Sequence, residues 1–164
     1  GIVVHPNPVR VRRQHLDDDG VQHEYDEELA GEAMDGGPVM LSWYDVRSAG
    51  RGSGPAYNVV IHEFAHVLDL ADGRSDGVPL LPPGLPRRAW IEVLQREYEA
   101  FVARVDADEE TALDAYGTAG EDEFFAVASE AFFVAPRAMK AEHPALYGVF
   151  VRFYGQDPAA ELAF

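Results

Sequence analysis

The chain has no cysteine. Disulfides and thiolate metal sites are therefore excluded, and any zinc must be held by histidine, aspartate or glutamate. Lysine is nearly absent as well: of 13 basic residues only Lys140 is a lysine, against 29 acidic residues and a formal net charge of −16. Such a surface repels nucleic acid backbones and anionic lipid, so neither is expected as a partner through a basic patch. Acidity suits cationic peptides, but more often it only keeps a protein soluble. There is no transmembrane run, signal peptide or lipidation motif, and the default expectation is a cytoplasmic protein. Gly1 is an unusual native start, which points to a missing upstream segment. What is present is 164 residues, 47% of them hydrophobic, enough for one compact domain with a core.

The most informative feature is His62-Glu63-Phe64-Ala65-His66, an H-E-x-x-H motif in a stretch that reads as helix. Four residues is a little more than one helical turn, so both imidazoles leave the same face, one above the other. Tetrahedral zinc requires this of two of its ligands. Glu63 points to the neighbouring sector, close enough to take a proton from an activated water without binding the metal itself. The surrounding residues Val59, Val60, Ile61, Phe64, Val67, Leu68 and Leu70 make the helix apolar nearly all round, which predicts a buried one. Buried histidines and a buried glutamate are costly unless paired or bound to metal.

Residues 1–5 (GIVVH) read as a short strand stopped by Pro6 and Pro8. Residues 16–28 are acidic and polar, a loop with at most one exposed strand. Asp17-Asp18-Asp19-Gly20 lacks the alternating ligands of a calcium loop and reads as a solvated turn. Residues 28–34 and 39–46 form an expected hairpin around Asp35-Gly36-Gly37-Pro38. A flexible connection over 51–55 leads into the motif helix, 56 to about 71, closed by Asp72-Gly73. An irregular crossing with Gly77 and four prolines follows. A long helix opens at Pro86, with Trp90, Val93, Leu94, Phe101, Val102 and Val105 on one core-facing stripe. Helices over 121–134 and 144–154 complete an α+β domain spanning 1–164.

A catalytic zinc takes three protein ligands and leaves one position open for water. Asp69 and Asp72 stand where a metzincin would have glycine and histidine, so that subclass is excluded. Glu123 and Glu130 lie seven residues apart on nearly one face of an apolar helix, and physics alone does not choose between them. His5, His15, His23 and His143 are outside candidates.

The sequence resembles the Mlc titration factor A family of zinc-dependent peptidases. The likeness is carried by residues 37–46 (GPVMLSWYDV), 58–79 (NVVIHEFAHVLDLADGRSDGVP), 114–116 (DAY) with 123–133 (EFFAVASEAFF), and 144–158 (PALYGVFVRFYGQDP). The catalytic half of anthrax lethal factor is a more distant likeness, through H-E-F-x-H and an E-F-F-A segment. Both imply that Glu123, immediately before Phe-Phe-Ala, is the third ligand and that Tyr116 faces the metal. They imply a zincin-like fold: a small mixed sheet with an edge strand, the HExxH helix and a glutamate-bearing second helix, of the gluzincin type. The resemblance places residues 39–46 as the edge strand to which an extended peptide adds by backbone hydrogen bonds.

On this reading His62, His66 and Glu123 hold one Zn2+. Glu63 is the general base, and Tyr116 donates to the oxyanion of the tetrahedral intermediate. Asp69 either orients an imidazole or bonds to the 73–77 turn. Glu130 either accepts from a ligand histidine, meets a substrate ammonium, or pairs with an arginine. The family resemblance implies aminopeptidase-like activity and, for better-known members, binding of a glucose-responsive transcriptional repressor. It also implies an N-terminal region that this chain lacks. Two other readings stay open: a regulatory zinc scaffold that binds a protein partner, and a catalytic fragment with an incomplete cleft.

Overall fold

The structure, a computed structural model, describes residues 1–16, 22–29, 31–33, 37–49 and 56–161; for 11–16, 22–29 and 161 it describes the backbone. Its strands are β1 (Ile2–His5), β2 (Val9–Leu16), β3 (Gln22–Leu29), β4 (Gly31–Ala33) and β5 (Val39–Ser42). Its helices are α1 (Trp43–Ser48), α2 (Val59–Asp69), α3 (Arg87–Asp106), α4 (Glu121–Val134), α5 (Pro136–Glu142), α6 (Pro144–Tyr154) and α7 (Pro158–Glu161). Short 3-10 turns cover Leu70–Asp72 and Ala115–Ala119. The result is a mixed α+β architecture. No helix among the described residues is long and apolar enough to cross a membrane.

The main sheet has the order β1-β5-β4, with β1 parallel to β5 and β4 antiparallel to it. The expected hairpin is therefore present as β4–β5, with Gly31 opposite Leu41 and Ala33 opposite Val39. Two details differ from expectation. First, β5 sits in the middle of the sheet, and the strand at the edge beside α2 is β4. Second, the strand ends at Ser42, whose side chain caps α1 by accepting from the Asp45 N–H at 3.4 Å. Ser42-Trp43-Tyr44-Asp45 is a short capping sequence, and it overrides the strand propensity of Trp43, Tyr44 and Val46.

The one strand allowed for within residues 16–28 is present as β3, which pairs with β2 in an antiparallel ribbon with Arg10 opposite Glu28 and Arg12 opposite Asp26. The ribbon is too polar in sequence to be read from hydrophobic alternation. The Asp17-Asp18-Asp19-Gly20 turn lies outside the described residues.

The core is helical. Trp90 and Phe101 of α3, Phe124, Phe125 and Phe132 of α4, Met139 of α5, and Leu146 and Phe150 of α6 are all fully buried. Trp90 stacks on Phe150, ring centroids 5.4 Å apart and planes 3° from parallel. Helix α4 is the central one, with every residue from Phe124 to Phe132 buried. The expectation of a helix buried on all sides thus describes α4 and fails for α2. Helix α2 packs against α4 and β4, but Phe64, Val67 and Leu68 on its other side are exposed. It also starts later than expected, at Val59, because Asn58 caps it: the Asn58 side chain accepts from Val60 N–H (3.1 Å) and Ile61 N–H (3.3 Å).

Candidate metal centre

Helix α2 presents His62 and His66 to the first turn of α4, where Glu123 stands. His62 Nε2 lies 3.1 Å from Glu123 Oε2, His66 Nε2 lies 3.3 Å from the same oxygen, and the two Nε2 atoms are 3.2 Å apart. Glu123 Oε2 is buried, and neither contact is directed as a hydrogen bond to it. Three ligand-type atoms thus converge on a common point, the two Nε2 atoms within hydrogen-bond distance of each other. A metal about 2.0–2.1 Å from each of three tetrahedral ligand atoms spaces those atoms by roughly 3.3 Å. The observed triangle has that size, so the residues fit a tetrahedral divalent ion. Among the described residues, these three form the cluster able to hold one.

The charges of the cluster are strongly coupled. Burial pulls the His62 imidazole down, but close contact with Glu123, the hydrogen bond to Glu130 and the charges of both outweigh it and hold its pKa well above the usual range. Burial pushes Glu123 up, but contacts with His62 and His66 hold it well below the ordinary carboxylate value.

Glu130 sits on the same face of α4, nearly two turns further along, and is buried. One carboxylate oxygen lies 2.8 Å from His62 Nδ1; the other accepts the Asn58 backbone N–H. Both oxygens are engaged at the first turn of α2. With Nδ1–H donated to Glu130, the His62 Nε2 lone pair faces the triangle.

Glu63 is 6% exposed. Burial raises its pKa, and the charges of His62 and His66 and a hydrogen bond from the Ala33 backbone offset only part of that effect. Tyr116 stands on the Ala115–Ala119 turn, which Asp114 caps by accepting the Tyr116 N–H at 2.9 Å. Its ring centroid is 6.0 Å from that of His62. Buried Gly117, packed on Phe101 and Phe124, anchors the turn to the core. Asp69 is fully buried and accepts the Gly77 N–H at 2.9 Å. Its hydrogen bond thus runs to the turn beyond the helix. His143 is buried between Glu97, 3.0 Å from Nδ1, and Glu142, at the α5–α6 junction. His5 ends β1, and His15 and His23 are register partners in the β2–β3 ribbon. His5 and His143 are not in the cluster, and the side chains of His15 and His23 lie outside the described ones.

A cleft of about 270 Å³ opens over these groups. One wall comprises Gly31, Glu32 and Ala33 of β4, and the far end has Ser75 and Asp122; the Ser75 hydroxyl donates to Asp122 at 3.1 Å. None of these wall residues was singled out from sequence. An isolated glycine in a strand, the signal of a close approach, was the cue available for Gly31.

Residues 1–155 match the family model of the glucose-regulated metallo-peptidase M90. The chain belongs to this family. It is 39% identical over 166 residues to a protein named Mlc titration factor A from Edwardsiella ictaluri, covering 98% of this chain and 62% of that one. Its identity to the Mlc titration factor A of Escherichia fergusonii is 37% over 165 residues, and to that of Pectobacterium atrosepticum 35% over 164. Both alignments cover 98% of this chain and 61% of the relative. The chain thus spans about three fifths of the length of the curated relatives it matches. M90 membership implies a metallopeptidase, and the His62–His66–Glu123 cluster is where this member could hold its metal.

Proposed function

We propose that this chain carries the catalytic machinery of a zinc-dependent, aminopeptidase-like hydrolase of the gluzincin type, working in the cytoplasm on peptide or aminoacyl bonds. The observation that carries the reading is the convergence of His62, His66 and Glu123 on one point, with Glu63 buried beside them. Zinc held there supplies Lewis-acid polarisation of a water and of the scissile carbonyl. Glu63, made more basic by burial, accepts the proton of the attacking water and passes it to the leaving amine. Tyr116, exposed at the mouth of the cleft, donates its hydroxyl to the developing oxyanion. Glu130 keeps His62 in the Nδ1–H tautomer. The edge on which a substrate strand adds is that of β4, since β5 is covered on both sides; the Ala33 N–H on it already serves Glu63 and is not open to substrate.

The deciding experiment is hydrolysis of a chromogenic aminoacyl panel by zinc-loaded protein, run beside Glu63→Gln and beside chelated protein. Activity lost in both controls supports the reading. A zinc-loaded wild type inactive on every substrate rules against it.

A second reading has one observation in its favour: the relatives are named for titrating Mlc. In it the metal scaffold serves to sequester a transcriptional repressor, with little or no catalysis. The same panel separates the two, because a pure binding module gives no turnover and binds its partner equally well as Glu63→Gln.

A further inference from the structure

Strand β4 lies directly against the Glu63 side chain. A Cβ added at Gly31 would stand 2.5 Å from Glu63 Cγ, 2.6 Å from Oε1 and 2.7 Å from Cδ. The nearest three atoms all belong to one side chain, so the space a residue 31 side chain would take is filled by Glu63. Gly31 is not among the glycines with positive φ. Its backbone is therefore open to any residue, and conformation does not explain a glycine there. A glycine inside a strand weakens it, which makes the packing of Glu63 the reason left standing. Glu63 and Ala33, two residues on from Gly31, both line the cleft, and the Ala33 backbone N–H serves the Glu63 carboxylate.

We propose that Gly31 is a positioning residue for Glu63: its missing side chain lets the carboxylate lie on the edge of β4, between the Ala33 N–H and the metal triad. The idea rests on the reading of Glu63 as proton acceptor. It extends the working site from two helices to the strand that forms the opposite wall of the cleft.

Gly31→Ala, Glu63→Gln and the double variant test this, with zinc content, turnover and the Ala33 amide resonance followed in each. Gly31→Ala is expected to bind one zinc, to lose at least about 100-fold in kcat and to change KM little. The double variant should be no slower than the slower single one, because both remove the same positioned carboxylate. The Ala33 amide should shift in Gly31→Ala as it does in Glu63→Gln. Wild-type turnover in Gly31→Ala, losses that multiply in the double variant, or an Ala33 amide indifferent to residue 31 would each overturn the proposal.

A wild type without turnover would remove the peptidase reading, and the amide resonance would then decide the placement of Glu63 alone. Should Gly31→Ala fail to fold, amide exchange at Ala33 replaces it. That amide should be protected in wild type and exchange faster in Glu63→Ala. Equal rates in the two proteins overturn the proposal.

Discussion

Two carboxylates, Glu63 and Glu123, stand beside the same pair of imidazoles and titrate in opposite directions. Burial dominates at Glu63 and raises it, whereas at Glu123 burial is outweighed by close contact with both ring nitrogens. A base and a metal ligand need this division: one must hold a proton in passing, the other must stay ionised. Glu63→Gln is therefore expected to keep full zinc stoichiometry while kcat falls by about 10²–10⁴-fold, checked by metal analysis beside steady-state kinetics. Glu130→Ala should weaken zinc by about 10–100-fold, the usual cost of losing a ligand's outer partner, and Glu123→Ala by more. Competition with a chromophoric chelator measures both. Wild-type affinity in Glu123→Ala would remove it from the ligand set.

At the scale of elements, the site depends on how α2 and α4 meet. Asn58 caps α2 with its side chain while its own N–H is taken by Glu130 of α4, so one residue begins the helix and docks it. Asn58→Ala is expected to cost about 1 kcal/mol of stability, read by chemical denaturation. Gly77 plays the corresponding part at the other end. It has φ +72, donates to Asp69, accepts from the Trp90 indole, and a Cβ there would sit 2.5 Å from the Glu121 carbonyl oxygen. Gly77→Ala must displace the start of α4, two residues before Glu123. A stability loss of about 1–3 kcal/mol should therefore come together with weaker zinc binding, and undiminished zinc affinity would separate the turn from the site.

For the whole molecule, pH reaches stability through Asp69. Burial raises its pKa from 3.8 to about 6. Between those values the folded protein keeps a proton that the unfolded chain releases, so stability falls as pH rises through the window. The full effect is at most about 3 kcal/mol. In metal-free protein, Asp69→Asn should still accept the Gly77 N–H and should flatten this part of the pH profile between pH 4 and about 6. Thermal melts of both proteins across that range measure it, and parallel curves would exclude Asp69 as the source. Zinc should raise the melting temperature, because the triangle of donors exists only when α2 and α4 are packed.

The sequence by itself determined what a single element can encode. His62, Glu63 and His66 share one helix, so their spacing sets their relative geometry before any folding is considered. The core-facing stripe of α3 was readable for the same reason. Tertiary structure decided everything that joins elements. Glu123 and Glu130 share a face of α4, and only the docking of α2 across that face gives one to His62 Nε2 and the other to Nδ1. The α2 surface, apolar nearly all round in sequence, is covered on one side only because α4 occupies the centre. The edge strand passed from β5 to β4 because β1 pairs in parallel with β5 from a distant part of the chain. Gly31 meets Glu63 across a contact that no local periodicity records. Helical spacing is a property of consecutive residues; which side chain fills which space depends on backbones brought together by burial of the core.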